Sequence, residues 1–436
     1  MIVSKVSKYN TLNDFLKSKT FMKIALSMTG CKNNRYELDQ ILRWAIKNKV
    51  PVVEESEADF AIINTCTVTS IADRKSRQLV RRTRNNNSGL KTIVFGCAAR
   101  AQKKVFEEIT EVDVLLGSMQ EVITYLESNI SDMKKCDDAS LITSGEAFTR
   151  SRALVQIQDG CDNYCSYCII ASARGKSKNR PQKEIINEIN KHVANGFNEV
   201  VLTGINIGAY GASLTTRPDE NKFAELLEAI FEQTGIKKVR AGSLGPEFFN
   251  EKWYKVMQNP RFSRHLHLSI QSGSDSVLKR MRRNYTAGQV TDVIKKLRGI
   301  SPDIAITADI IVGFPGETEA EFKETVQFVK KNRLAKTHIF PYSERQNTLA
   351  AKMEQVPVKL RRERVKKLQE VADICRSEFI KSQLGKKAEV LWEHSRLSGR
   401  AEGVTENYIR VRVMGARTAG SITSEVLTTE NIDTLL

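Results

Sequence analysis

From Phe21 to Phe340, short apolar runs alternate with stretches of helical periodicity, which restricts the chain to parallel sheets whose successive strands are joined by helices. FMKIALSM reads as a buried strand, and Asn34 to Lys47 as an amphipathic helix. ADFAIINT is a second strand, with a helix from Ile71 to Asn85 after it. KTIVFG (91–96) is a third strand and Gln102 to Ile109 a short helix, while VDVLLG (112–117) is a fourth strand leading to a helix from Met119. A second series opens with ALVQIQDG (153–160) and continues through EVVLTG (199–204), KKVRAGSL (237–244), RHLHLSI (264–270), DIAITADIIVG (303–313) and KTHIF (336–340). Six strands in strand–helix units predict a partial parallel barrel, a fold whose sites lie at the carboxyl ends of the strands.

With 436 residues the chain exceeds one hydrophobic core, and 41% hydrophobic with 27% charged residues excludes a mainly disordered polymer. Residues 1–20 read as a dispensable leader, with Met22 a candidate start, and residues 21–127 as a first α/β domain. Residues 128–150 turn polar and lose periodicity, as a linker would, and the partial barrel occupies 151–372. A basic helix from Val358 to about Gln383 precedes a change of character. KAEVLWEH, NYIRVRVM and SITSEVLT alternate and are broken by Gly, Asn and Thr, so a small antiparallel β barrel is expected within 373–436. No apolar run nears the ~18 residues that span a bilayer, and the N-terminus lacks the apolar stretch of a signal peptide. A cytoplasmic protein without membrane association is the expectation.

The eight cysteines are too sparse for a secreted disulfide scaffold. Their positions carry more. Cys161, Cys165 and Cys168 stand in a Cys-x3-Cys-x2-Cys pattern directly after the first barrel strand. Three thiolates in one loop can hold a metal centre, but no fourth Cys or His follows nearby to close a structural zinc site. A [4Fe–4S] cluster held by three cysteines instead leaves one iron open to a small molecule. Zinc remains the competing reading. Cys31, Cys66 and Cys97 each follow a strand of the first domain, and the carboxyl ends of neighbouring parallel strands open onto one crevice. The three thiols should therefore converge, the alternative being three separately buried hydrophobic cysteines. Cys136 and Cys375 fit neither set.

At these residues the chain resembles the methylthiotransferase family of radical S-adenosylmethionine enzymes, over nearly its whole length after Met22. The matching pieces are TGCKNNRYE (29–37), NTCTVT (64–69), FGCAAR (95–100), DGCDNYCSYCIIASARG (159–175), VLTGINIGAYG (201–211), HLHLSIQSGSDSVLKRMRRNY (265–285), ADIIVGFPGET (308–318) and EGVTENYIRV (402–411). Within the family the chain looks most like the branch acting on N6-threonylcarbamoyladenosine at tRNA position 37. It departs from the usual pattern at Arg100, Ala171, Ser172, Asn179 and Ser269, none of them a cluster ligand.

The resemblance implies an N-terminal cluster domain, a radical barrel and a C-terminal TRAM barrel. It also implies two [4Fe–4S] clusters, S-adenosylmethionine, and reduced flavodoxin or a ferredoxin-type protein as electron donor. The Cys161, Cys165 and Cys168 cluster would bind and cleave S-adenosylmethionine to a 5′-deoxyadenosyl radical that takes hydrogen from C2 of the adenine. The Cys31, Cys66 and Cys97 cluster would carry the sulfur that is methylated and delivered. Tyr167 could pack on the cofactor's adenine, Thr203 and Gly204 could approach its methionine, and Ser243, Gln271 and Asp309 could line the same pocket. Each of these is equally open to a packing role.

The net charge of +17 is clustered at Arg74 to Lys91, at Lys176, Lys178 and Arg180, and at Lys279, Arg280, Arg282 and Arg283. Such runs beside the expected chemistry favour a polyanion, here the anticodon loop of tRNA, over merely solvated faces. In the last domain Asn407, Tyr408, Arg410 and Arg412 are candidates for RNA recognition. Competing readings are a methylthiotransferase for isopentenyladenosine-37 or for an aspartate of ribosomal protein S12, and a noncatalytic RNA-binding protein with structural metal.

Overall fold

The computed structural model describes residues 22–130, 150–212, 220, 222–395 and 399–432. The described residues before 131, together with Ser172–Arg174, form one compact unit, and the others form a second. The expected leader, residues 131–149 of the expected linker, and Cys136 lie outside the described residues.

In the first unit, β1 (Ile24–Met28), β2 (Phe60–Thr65), β3 (Lys91–Gly96) and β4 (Val114–Leu115) pair in that order, all parallel. The strand period of two sends Phe60 and Ile62 to one face and Ala61 and Ile63 to the other, and all four are fully buried. On the first face they meet Leu38, Ile41 and Trp44 of α1 (Lys32–Lys47) and Val122 and Leu126 of α5 (Met119–Ile130). On the second they meet Val80 of α2 (Ser70–Asn86), Ala98 of α3 (Cys97–Ala101) and Phe106 of α4 (Lys103–Glu107). Two short helices thus stand where one was expected from Gln102, the first beginning at Cys97 itself. The α5 helix runs to Ile130, past the expected start of the linker.

Asp39 on α1 lies 3.4 Å from Arg35, and burial pushes its carboxyl up to about 6 against the pull of Arg35 and Arg43. A carboxyl raised on folding holds its proton more tightly in the folded state. Its contribution is therefore present below about pH 4 and lost as pH rises through about 6. The melting temperature of Asp39→Asn should accordingly depend less on pH across that window than the parent's, and parallel curves would refute the assignment.

In the second unit, β5 (Arg152–Gln156) carries on into a two-residue strand, β6 (Gln158–Asp159), which pairs antiparallel with β7 (Lys178–Asn179). That pair closes the base of the cysteine loop. The barrel continues through β8 (Glu199–Thr203), β9 (Lys238–Ala241), β10 (Ser243–Leu244), β11 (His265–Gln271), β12 (Ala305–Val312) and β13 (Lys336–Pro341). Its strands are parallel and fall into two sheets, β5-β8-β9 and β10-β11-β12-β13. KKVRAGSL changes sheets at Gly242, where an added Cβ would come within 2.9 Å of the Leu202 carbonyl oxygen.

The expected basic helix is α7 (Val358–Gln383), numbered after the short α6 (Ile170–Arg174) beyond the cysteine loop. Beyond it, β14 (Lys387–Glu393), β15 (Arg400–Thr405), β16 (Arg410–Met414) and β17 (Ile422–Val426) form an antiparallel sheet in the order β16-β15-β14-β17. It curls around Val390, Trp392, Ala401, Val411 and Leu427. Among the described residues β16 and β17 do not pair, though Ile432 just beyond β17 bridges to Val411 of β16, so the small antiparallel barrel expected here takes the form of a curled half-barrel. No described helix is long and apolar enough to cross a membrane.

Two candidate iron–sulfur sites

Parallel register brings the first set of thiols together. Met28 is level with Asn64 and Thr65 with Gly96, so the residues leaving β1, β2 and β3 share one edge of the sheet. Cys31 is the exposed N-cap of α1, Cys66 follows β2 buried, and Cys97 opens α3, also buried. A charge on Cys31 is felt at both other thiols. Two glycines make the approach possible. A Cβ on Gly30, whose φ is +115°, would lie 2.7 Å from the Cys66 Cβ, and one on Gly96, at φ +102°, would collide with the Asn64 side chain. Burial pushes Cys97 up to about 12, with Arg174 pulling the other way, and burial likewise raises Cys66.

Beneath the thiols lies a buried polar net. Asn34 donates to Asn64 Oδ1 at 2.9 Å and to the Thr65 carbonyl at 3.0 Å, and Asn64 donates to Glu37 Oε2 at 2.8 Å. Arg174 donates from Nε to Cys97 Sγ at 3.0 Å and from Nη1 to Glu37 Oε1 at 2.8 Å.

The second set is held by one loop, and each sulfur accepts a hydrogen bond. Asn163 N–H donates to Cys161 at 3.4 Å, Arg283 Nη1 to Cys165 at 3.3 Å and Ile170 N–H to Cys168 at 3.4 Å. Burial pushes Cys161 up to about 11 and Cys168 up to about 12. Among the described residues no three His, Cys, Asp or Glu side chains gather as the ligands of one ion would. Thiolates that each bind a different iron of a cube stand farther apart. Three sulfurs with donors aimed at them fit a [4Fe–4S] cluster, because such donors offset the charge that cluster binding puts on sulfur.

The other expected residues divide. Tyr167 packs edge-on to Phe314, with ring centres 6.4 Å apart, over a cluster that includes Val277 and Met281. The exposed aromatic of the loop is Tyr164. Thr203 is buried at the end of β8, and Gly204 has room for no Cβ, which would come within 2.6 Å of the Gln158 carbonyl oxygen. Ser243 is exposed on β10, and Gln271 ends β11 at φ +70°. Asp309 accepts from His267 Nε2 at 3.0 Å, and the His267 ring lies 5.4 Å from that of His338. Burial and the neighbouring His267 hold His338 below the usual histidine range. Sequence reasoning missed these histidines, although the alternation in HLHLSIQ puts His267 on one face of its strand with Ser269 and Gln271.

The basic runs are partly spent inside the fold. Arg84 pairs with Asp113 at 2.9 Å, Arg180 with Glu188 at 2.7 Å and Arg280 with Glu321 at 2.8 Å, while Arg283 serves Cys165. Arg74, Lys75, Arg81, Arg82, Lys176, Lys178, Lys279 and Arg282 remain exposed. In the last sheet Asn407 is buried against Gln383, and Glu402 pairs with Arg412 at 2.7 Å and Arg410 at 3.6 Å. Tyr408 is exposed, at φ +70°, and stacks on His265.

Residues 155–329 match the Radical SAM superfamily, and residues 23–117 match a family described as uncharacterized protein family UPF0004. The chain is 36% identical over 393 residues to the threonylcarbamoyladenosine tRNA methylthiotransferase MtaB of Rickettsia prowazekii, covering 88% of this chain and 90% of that protein. To the protein of the same name from Bacillus subtilis it is 35% identical over 413 residues, covering 90% of each. A tRNA-2-methylthio-N(6)-dimethylallyladenosine synthase of Carboxydothermus hydrogenoformans is 34% identical, covering 84% of this chain and 86% of that protein. In fold the chain is similar to the radical S-adenosylmethionine methyltransferase TsrM of Kitasatospora setae, with a TM-score of 0.56 at 13% identity, covering 76% of this chain and 77% of that one. Two cysteine triads on matching segments and relatives spanning nearly the full length lead to one conclusion: the chain belongs to the methylthiotransferase family of radical S-adenosylmethionine enzymes.

Proposed function

We infer that the protein adds a methylthio group to C2 of N6-threonylcarbamoyladenosine at position 37 of tRNA. The observation that carries this reading is the convergence of Cys31, Cys66 and Cys97 on one sheet edge of the first unit, in a chain that also carries a separate Cys161–Cys168 loop in its second unit and whose relatives are named for that nucleoside. When bound, two [4Fe–4S] clusters and S-adenosylmethionine supply a 5′-deoxyadenosyl radical able to activate an aromatic C–H bond and a sulfur for methylation and transfer.

The chain's own residues hold and surround these groups. Cys161, Cys165 and Cys168 ligate one cluster, with Asn163, Ile170 and Arg283 donating to their sulfurs, and Cys31, Cys66 and Cys97 ligate the other. Thr203, Gly204, Ser243, Gln271 and Asp309 line the S-adenosylmethionine pocket, and Tyr167 braces the loop through Phe314. Residues 21–127 form the second-cluster domain, 151–372 the radical domain and 373–436 the RNA-binding half-barrel. A reduced flavodoxin or ferredoxin-type protein supplies electrons, in the cytoplasm.

Nucleoside mass spectrometry of tRNA from a deletion strain tests the substrate. The 2-methylthio form of threonylcarbamoyladenosine should vanish and return on complementation. Intact tRNA with loss of the ribosomal-protein modification would reject it. The exposed cations set a second expectation, because each phosphate contact releases counterions. Arg81→Ala combined with Arg82→Ala should weaken tRNA binding and flatten its logarithmic salt slope by about 2. An unchanged slope would remove α2 from the RNA surface.

A further inference from the structure

We propose that Arg174, clamped by Glu37, is a positioning residue of the Cys31–Cys66–Cys97 centre, presenting a fixed cation and a hydrogen bond to the sulfur of Cys97. The proposal rests on the reading of those thiols as a cluster site. The guanidinium has two ends with different duties. Nε donates to Cys97 Sγ at 3.0 Å, while Nη1 and Nη2 reach the two carboxylate oxygens of Glu37 at 2.8 and 3.4 Å. Nη2 also lies 3.4 Å from Asn34 Oδ1. The Arg174 side chain is 1% exposed.

An ion pair this deep gains little net stability, since desolvation consumes most of the attraction. It needs another reason to be there. A negative sulfur at the open end of the guanidinium is one, because the cation then faces two anions instead of one. The bidentate grip on Glu37 fixes the plane of the group and so aims Nε, a duty that a lysine ammonium cannot perform in both directions at once.

The other triad also has an arginine on one sulfur, held differently, with its Nη2 donating to the Ser269 carbonyl at 3.2 Å. Arg283 Nη1 donates to Cys165 Sγ at 3.3 Å and Nε to Tyr285 Oη at 2.8 Å, and Nη2 lies 3.8 Å from the buried Glu247. Each triad thus has one arginine on one sulfur with a glutamate behind it. Hydrogen bonds to ligand sulfur and added positive charge both raise the potential of an iron–sulfur cluster. Arg174 should therefore make the second cluster easier to reduce.

The test uses the full chain with Cys161, Cys165 and Cys168 replaced by Ala, reconstituted anaerobically with iron and sulfide and titrated by electron paramagnetic resonance. Arg174→Gln should lower the midpoint potential and alter the resonance spectrum, with Arg174→Lys falling between Gln and the parent. An unchanged midpoint and spectrum in Arg174→Gln would overturn the proposal. Should Arg174→Gln hold no iron, Arg174→Lys decides: retained iron supports the requirement for charge, and equal loss assigns Arg174 to packing alone. A parent triple variant without iron would overturn the second-cluster reading itself, which separates that failure from this one.

Discussion

Cys165→Ala is expected to bring 5′-deoxyadenosine formation to background, whereas Cys66→Ala should leave S-adenosylmethionine cleavage measurable and abolish methylthiolation. The asymmetry follows from where the thiols stand. Cys165 sits between Cys161 and Cys168 in one loop, accepts a hydrogen bond from Arg283, and shares the electrostatic field of both neighbours. Removing it leaves two thiols in the loop and takes the sulfur acceptor from Arg283 Nη1. Cys66 belongs to the other unit, under Gly30 and against Ser76, whose hydroxyl accepts from the Cys66 amide at 3.1 Å. Alanine there fits the same backbone, so the loss should be one of sulfur chemistry and not of folding. Anaerobic assays counting 5′-deoxyadenosine and methylthiolated nucleoside separately provide the check. Equal loss of both products in the two variants would contradict separate duties for the two triads.

How far the sequence carried the argument depended on the range of the interaction concerned. Alternating strands and helices, and the placement of each cysteine after a strand, follow from periodicity and parallel topology, which are local properties. FAIINT, buried on both faces, is legible as a central parallel strand for the same reason. What escaped were pairings between distant residues. Nothing in the composition of LKRMRRNY says that Arg280 is taken by Glu321 while Arg282 stays exposed. The difference is one of backbone, since Arg280 ends a short helix (Asp275–Arg280) and Arg282 lies past its cap at φ +59°. Tyr164 and Tyr167 lie three residues apart in the cysteine loop, yet one faces solvent and the other Phe314. Likewise Asn407 looked like an RNA contact because it stands in a turn, but its amide is spent on Gln383. The curled last sheet was legible, but how far it closes was not. Short alternating strands specify a curled sheet, whereas closure depends on whether its two edges meet.

Glu199→Ala is expected to cost about 3–5 kcal/mol, the range for stripping one partner from a buried ion pair. Glu199 begins β8 with its side chain 3% exposed, and its carboxylate lies 2.8 Å from Arg240 and 3.2 Å from Arg152. Burial alone would push that carboxyl up, but Arg240 and Arg152 together hold it below the usual range. Alanine leaves the buried Arg240 guanidinium without its anion, while the half-buried Arg152 keeps only Glu393 at 3.0 Å. The damage should also spread, because Arg240 donates to the carbonyl oxygens of Glu406 at 2.9 Å and Thr405 at 3.3 Å, tying β9 to the last sheet. A carboxyl lowered on folding contributes stability above its unfolded pKa and loses it as pH falls through the folded one. The deficit of the variant should therefore be complete at neutral pH and shrink in acid, as the parent's own carboxylate protonates. Urea unfolding followed through Trp253 in the barrel and Trp392 in the half-barrel, each in a chain with the other tryptophans replaced by Phe, reads both effects. Both signals should move to lower urea in Glu199→Ala, with Glu199→Gln intermediate. A shift confined to Trp253 would show that Arg240 keeps hold of the last sheet without Glu199, and a loss below about 1 kcal/mol would place the pair among those that contribute no more than an exposed ion pair does.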